Sequence, residues 1–175
     1  PSGAARTGSR FAFQQSGVAP DAFTWAKGLA GGVPVGALVT VGPEVSGLLT
    51  PGQHGSTFGG NPLAAAAGLA VLDTIEKDGL LAHVTSVGNH LSDSVEALGH
   101  PLISGVRGTG LLRAIVLSAD VATVVAERAL EAGFIINAPT PNALRLAPPL
   151  VVTDAQIDSF VAALPDLLDG LGPTP

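Results

Sequence analysis

Trp25-Ala26-Lys27-Gly28-Leu29-Ala30-Gly31-Gly32-Val33-Pro34-Val35-Gly36 is the stretch on which the reading of this chain turns. Lys27 is the only charge between Asp21 and Glu44, whereas the chain's other lysine, Lys77, stands between Glu76 and Asp78 as a solvated helix-end residue does. An ammonium among apolar residues and glycines is costly to desolvate, and a desolvated amine is the better nucleophile. A Schiff-base lysine needs such surroundings. The same run also suits a lysine whose stem lies on apolar surface while its head reaches water. Taken alone, the run leaves both readings open.

Outward from it, the chain divides by glycine density. Residues 1–60 are rich in Gly and Pro, and the apolar runs Phe23–Ala26 and Val35–Val41 predict short buried strands joined by tight turns. From Asn61 the period becomes helical: Asn61 suits the N-cap, Pro62 the first helical position, and Gly79 the stop. A second helix is expected over Leu80–Leu98, interrupted or weakened at Gly88, followed by a strand over Gly110–Leu117. Val121–Ala132 reads as a helix closed by Gly133, and Phe134–Asn137 and Ala143–Ala147 as strands. Thr153 and Gln156 fit a capping box that opens the last helix, which Pro165 should bend or break. Strands interleaved with helices indicate an α/β or α+β protein. The domain boundary is expected within the helix that begins at Asn61.

Composition narrows the function. The 175 residues amount to about one domain, or one domain plus part of another. A net charge of −6 without any run of Lys or Arg argues against nucleic acid and anionic membrane surfaces as partners. With no Cys there is neither a disulfide nor a thiolate metal site, which is compatible with the cytoplasm. No apolar run approaches the length of a membrane span. There is no hydrophobic signal core at the N-terminus and no Met anywhere, so the chain reads as processed or as a piece of a longer one.

Two further constellations carry potential chemistry. His54-Gly55-Ser56-Thr57-Phe58-Gly59-Gly60-Asn61-Pro62 lies directly before a helix. Its glycines would let backbone amides approach an anion and its hydroxyls would add donors. The plainer alternative is a connection in which Ser56 and Thr57 cap backbone groups. Arg145, in Leu144-Arg145-Leu146-Ala147-Pro148-Pro149-Leu150, suits bidentate carboxylate recognition or a structural ion pair with one of the 14 acidic residues. The four histidines, His54, His83, His90 and His100, form no metal pattern, because His83 and His90 stand seven residues apart.

The order of motifs is more specific than any one of them. Arg6-Thr7-Gly8, Pro20-Asp21, the Trp25-Ala26-Lys27-Gly28 run, Gly55 to Pro62, Arg107-Gly108-Thr109-Gly110-Leu111 and Arg145 to Leu150 together resemble class III pyridoxal-phosphate aminotransferases, the acetylornithine-specific group most of all. The resemblance runs from about Arg6 to Gly170. It implies the C-terminal part of a fold-type I α/β transferase. Residues 1–62 would end the large pyridoxal-phosphate domain, and residues 63–175 would supply the connecting helix and the small α+β domain.

On that resemblance, Lys27 is the lysine that bonds to pyridoxal 5′-phosphate and then moves the substrate proton. Thr57, with Ser56 beside it, would bind phosphate across a homodimer interface, and Arg145 would meet a substrate carboxylate or be held by a family glutamate until the second substrate arrives. Arg107 to Gly110 is assigned to packing. The implied substrates are small amino and keto acids, with N-acetylornithine and 2-oxoglutarate first among them. The implied setting is arginine biosynthesis in the cytoplasm. Other omega-amino donors, namely ornithine, succinyl-diaminopimelate or 4-aminobutyrate, remain open, as does a non-catalytic domain. Several family elements are absent: a first phosphate loop, an aromatic residue stacking on the cofactor ring, a second carboxylate-binding arginine and the aspartate facing the pyridine nitrogen. Pro1 to Ala5, Trp25 and Ala30 also depart from the usual residues. The chain by itself is therefore expected to be inactive, with exposed apolar surface in residues 1–60.

Overall fold

The computed structural model describes residues 4–171; Pro1–Gly3, which carry part of the departure at the N-terminus, lie outside the described residues. The chain divides between Leu81 and Ala82 into two compact units.

In the first unit, β1 (Ala22–Trp25) pairs antiparallel with β2 (Ala37–Thr40), with Trp25 opposite Ala37. Alternation along β1 puts Phe23 and Trp25 on one face. There Phe11 lies 4.6 Å from Phe23 and 4.9 Å from Trp25, ring to ring. Among the described residues no third strand joins this ribbon. The strands come close to the expected places but are not buried: neither contains a buried residue, and Leu38 is 52% exposed. The aromatic cluster occupies one face of the ribbon, and a two-stranded ribbon has too little surface to bury both.

A 3-10 turn, Lys27–Ala30, leaves β1. α1 (Pro43–Ser46) is a single turn, and α2 (Pro62–Lys77) begins where Asn61 and Pro62 predict. Asn61 Oδ1 accepts the Ala64 N–H at 3.0 Å, satisfying one of the donors a helix start leaves free. Gly79, at φ +62°, follows the helix as the stop. Small residues on α2 seat the 3-10 turn. A Cβ on Gly68 would stand 3.7 Å from the Leu29 carbonyl, and one on Gly31 would stand 3.3 Å from Val71 Cγ2.

In the second unit, α3 (Leu80–Ala97), α4 (Ala122–Glu131) and α5 (Asp154–Leu168) accompany an antiparallel four-stranded sheet. Its strands β3 (Ile103–Thr109), β4 (Leu112–Leu117), β5 (Asn137–Thr140) and β6 (Ala143–Leu146) run in the order β3-β4-β6-β5. Val84, Val87, Leu91 and Val95 recur at helical spacing on α3 and join Ile115, Leu144, Val125, Phe160 and Leu164 in one core. The capping box is present: the Gln156 N–H donates to Thr153 Oγ1 at 3.3 Å, and the Thr153 N–H to Gln156 Oε1 at 3.0 Å.

Three expectations are corrected in this unit, and one strand is added. Gly88 does not interrupt α3; a Cβ there would collide with the Gly110 carbonyl, so the glycine is a close-approach residue. β3 is a strand where Gly105 and Gly108 had concealed one. Its register shifts between Ile103 and Gly105, as a bulge requires. β5 starts at Asn137 rather than Phe134, because Phe134 turns to pack at 5.5 Å against Phe160. Pro165 does not interrupt α5, since it stands in the last turns and the Asp169 N–H still donates to its carbonyl at 2.9 Å.

Candidate functional site

Lys27 is the first residue of the turn after β1 and holds φ at +59°, one of two non-glycine residues at positive φ among those described. That conformation is uncommon for a residue with a side chain. Leu29 and Ala30 turn inward and are buried, while Lys27 is exposed and its amine has no partner among the described residues. The desolvated surroundings expected from the run are therefore not found here. The apolar neighbours face α2, and the lysine faces out. The result is a primary amine on a backbone pinned two residues downstream.

Ser56 and Thr57 lie in the loop before α2, where every residue from Pro51 to Gly60 is exposed. Gly59 closes a turn on the Ser56 carbonyl at 3.3 Å, and Asn61 Nδ2 donates to the Phe58 carbonyl at 2.9 Å. Neither hydroxyl has a partner among the described residues, so the capping alternative for Ser56 and Thr57 is not what the loop shows. α2 is the common support of both features: its N-cap anchors this loop, and Gly68 seats the turn that carries Lys27.

Arg145 lies in β6 of the second unit and projects away from Leu144 and Leu146, which are buried. Its Nε donates to Asn137 Oδ1 at 3.0 Å. It has no acidic partner among the described residues, so the structural ion pair is not observed. Pairing places Arg107, Ala114, Arg145 and Asn137 in one row across the sheet. Directly opposed residues share a face. Arg107 is exposed in that row, also without a partner among the described residues. Asn137 went unremarked in the sequence; only the register of the Pro141-Asn142 turn could have brought it opposite Arg145.

The half-buried Arg6 guanidinium is pulled below its ordinary pKa by desolvation, beside a turn closed by the Gly8 N–H on the Ala5 carbonyl at 2.9 Å. His83 meets the Val152 carbonyl at 2.9 Å, and His90 meets Asp158 at 2.6 Å. Among the described residues, no three His, Asp or Glu side chains gather as a metal site. No described helix is long and apolar enough to cross a membrane.

The aminotransferase class-III family model matches residues 1–168. The chain belongs to the class III aminotransferases. Enzymes of this family depend on pyridoxal phosphate. Acetylornithine aminotransferase of Mycobacterium tuberculosis is 54% identical over 167 residues, 95% of this chain and 42% of that protein. The crystal structure of acetylornithine aminotransferase from Elizabethkingia anophelis superposes with a TM-score of 0.83 at 36% identity, over 95% of this chain and 43% of that one. An ornithine aminotransferase of Toxoplasma gondii gives 0.86 at 30% identity, over 97% and 41%. The class III chain thus spans less than half the length of these relatives, and the α/β architecture read from the sequence is that of its family.

Proposed function

We propose that this chain is the lysine-bearing part of a pyridoxal-phosphate aminotransferase that moves the terminal amine of N-acetylornithine to 2-oxoglutarate in arginine biosynthesis. The reading extends to a cytoplasmic homodimer. The observation that carries it is the 54% identity to an acetylornithine aminotransferase across 95% of the chain. Within that span, Lys27 offers an exposed, unpaired amine on an anchored turn.

The donor set fits the cofactor. An unpaired primary amine can condense with an aldehyde, and the two unpaired hydroxyls of Ser56 and Thr57 can donate to a phosphate. When bound, pyridoxal phosphate supplies an electron sink for the carbon that loses its proton. Lys27 Nζ would hold the cofactor, and its freed amine would serve as the base that moves the substrate proton. Ser56 and Thr57 would hold the phosphate, and in a homodimer Thr57 would serve the neighbouring protomer's site. The two terminal nitrogens of Arg145 grip a substrate carboxylate in parallel.

The test is glutamate formation by the protein encoded in the complete reading frame that carries this chain. N-acetylornithine should be the preferred donor with 2-oxoglutarate. Preference for ornithine would move the assignment to that branch, and no turnover with any omega-amine would overturn it. The 175-residue chain by itself should form no glutamate at an enzymatic rate.

A further inference from the structure

We propose that Asn137 is a positioning residue for substrate recognition. Its side-chain carbonyl holds Arg145 by Nε, so that both terminal guanidinium nitrogens stand free for the carboxylate of an amino or keto acid. The inference rests on the assignment of Arg145 to the substrate carboxylate.

Three observations carry it. The Arg145 Nε donates to Asn137 Oδ1 at 3.0 Å, and neither terminal nitrogen has a partner among the described residues. A guanidinium presents its five donors in a fixed fork, so fixing Nε also fixes the plane in which the other two nitrogens lie. Strand register sets the contact, since Asn137 pairs with Arg145 across β5 and β6. On the other side of Arg145 stands Ala114, whose methyl leaves the approach to the guanidinium open.

The chemistry of the partner matters as much as its place. A side-chain amide orients the arginine without neutralising it. A carboxylate at position 137 would form a charge-assisted pair and compete with the substrate for the same cation. Holding a flexible side chain in its bound orientation also lowers the entropy lost when substrate binds. Asn137 therefore acts on affinity and leaves the proton transfer at Lys27 alone.

The experiment uses the complete protein loaded with pyridoxal phosphate. Asn137→Ala should raise KM for 2-oxoglutarate about tenfold with little change in kcat, the scale of one lost hydrogen bond to a charged group. Asn137→Asp should raise it further. Arg107→Ala, which removes an exposed cation from the same row, should leave KM near its original value. In 15N-edited spectra the Arg145 Nε–H should exchange slowly with water, and quickly in Asn137→Ala. An unchanged KM in Asn137→Ala beside a raised KM in Arg145→Ala would overturn the proposal and leave the role of Arg145 standing. Equal losses in Arg107→Ala and Asn137→Ala would also overturn it, since truncation anywhere in that row would then weaken binding alike, without the Asn137 contact. An unchanged KM in Arg145→Ala would remove the assignment of Arg145, and this proposal with it.

Discussion

The two units of this chain treat their apolar residues in opposite ways. The second gathers side chains from three helices and four strands into one core, with Leu144, Leu164 and Val125 fully buried. The first has a two-stranded ribbon and a long glycine-rich loop, and it leaves Leu38, Leu48 and Phe58 at 52%, 73% and 83% exposure. Burial of apolar area is the main stabilising term, so the second unit should hold its fold by its own packing. The first keeps its order through α2, the aromatic cluster and the turn that α2 seats. The candidate chemistry divides along the same line. Lys27, Ser56 and Thr57 belong to the open unit, and Arg145 belongs to the closed one.

The contrast can be broken by mutation, beginning with the largest effect. Leu144→Ala should destabilise the second unit by about 3 kcal/mol in denaturant unfolding, because it leaves a cavity at a fully buried site. Leu38→Ala, a smaller truncation of the same kind in β2, should change stability by less than about 0.5 kcal/mol. Equal losses would mean that the ribbon is as closely packed as the core. Gly88→Ala should cost about 2 kcal/mol, since the added methyl must displace the Gly110 backbone. Asn61→Ala should cost about 1 kcal/mol and fray the start of α2, read as faster amide exchange at Ala64. Amide exchange should separate the units as a whole, with slow exchange in β4 and β6 and fast exchange in β1 and β2. Size-exclusion chromatography adds a further check. The exposed side chains of the first unit should drive concentration-dependent association, and a clean monomer at all concentrations would count against that.

Much of this was legible in the sequence where one local rule acted alone. Asn61 and Pro62 mark the start of α2, and Thr153 with Gln156 marks the start of α5, because a cap is satisfied within a few residues. The misread positions are those where a distant partner prevails. Gly88 looks like a weak point of the helix until Gly110 lies against it, and the strand through Gly105 and Gly108 emerges only when β4 pairs with it. Phe134 to Ile136 form an apolar run that resembles a strand, but Phe134 is drawn to Phe160 instead. The site follows the same pattern. Lys27 stood out by its neighbours in the chain, which left its role open, and its exposure depends on Leu29 and Ala30 turning toward α2. Asn137 carries no local signal at all, because its contact with Arg145 comes from strand register.

The central claim is that Lys27 is the cofactor lysine, and covalent trapping tests it most directly. The complete protein is incubated with pyridoxal phosphate, reduced with borohydride, digested and mapped by mass spectrometry. The account predicts a pyridoxyl group on the peptide carrying Lys27, and its loss in Lys27→Ala together with transaminase turnover. A label at another lysine with Lys27 unmodified, or full turnover in Lys27→Ala, would contradict it.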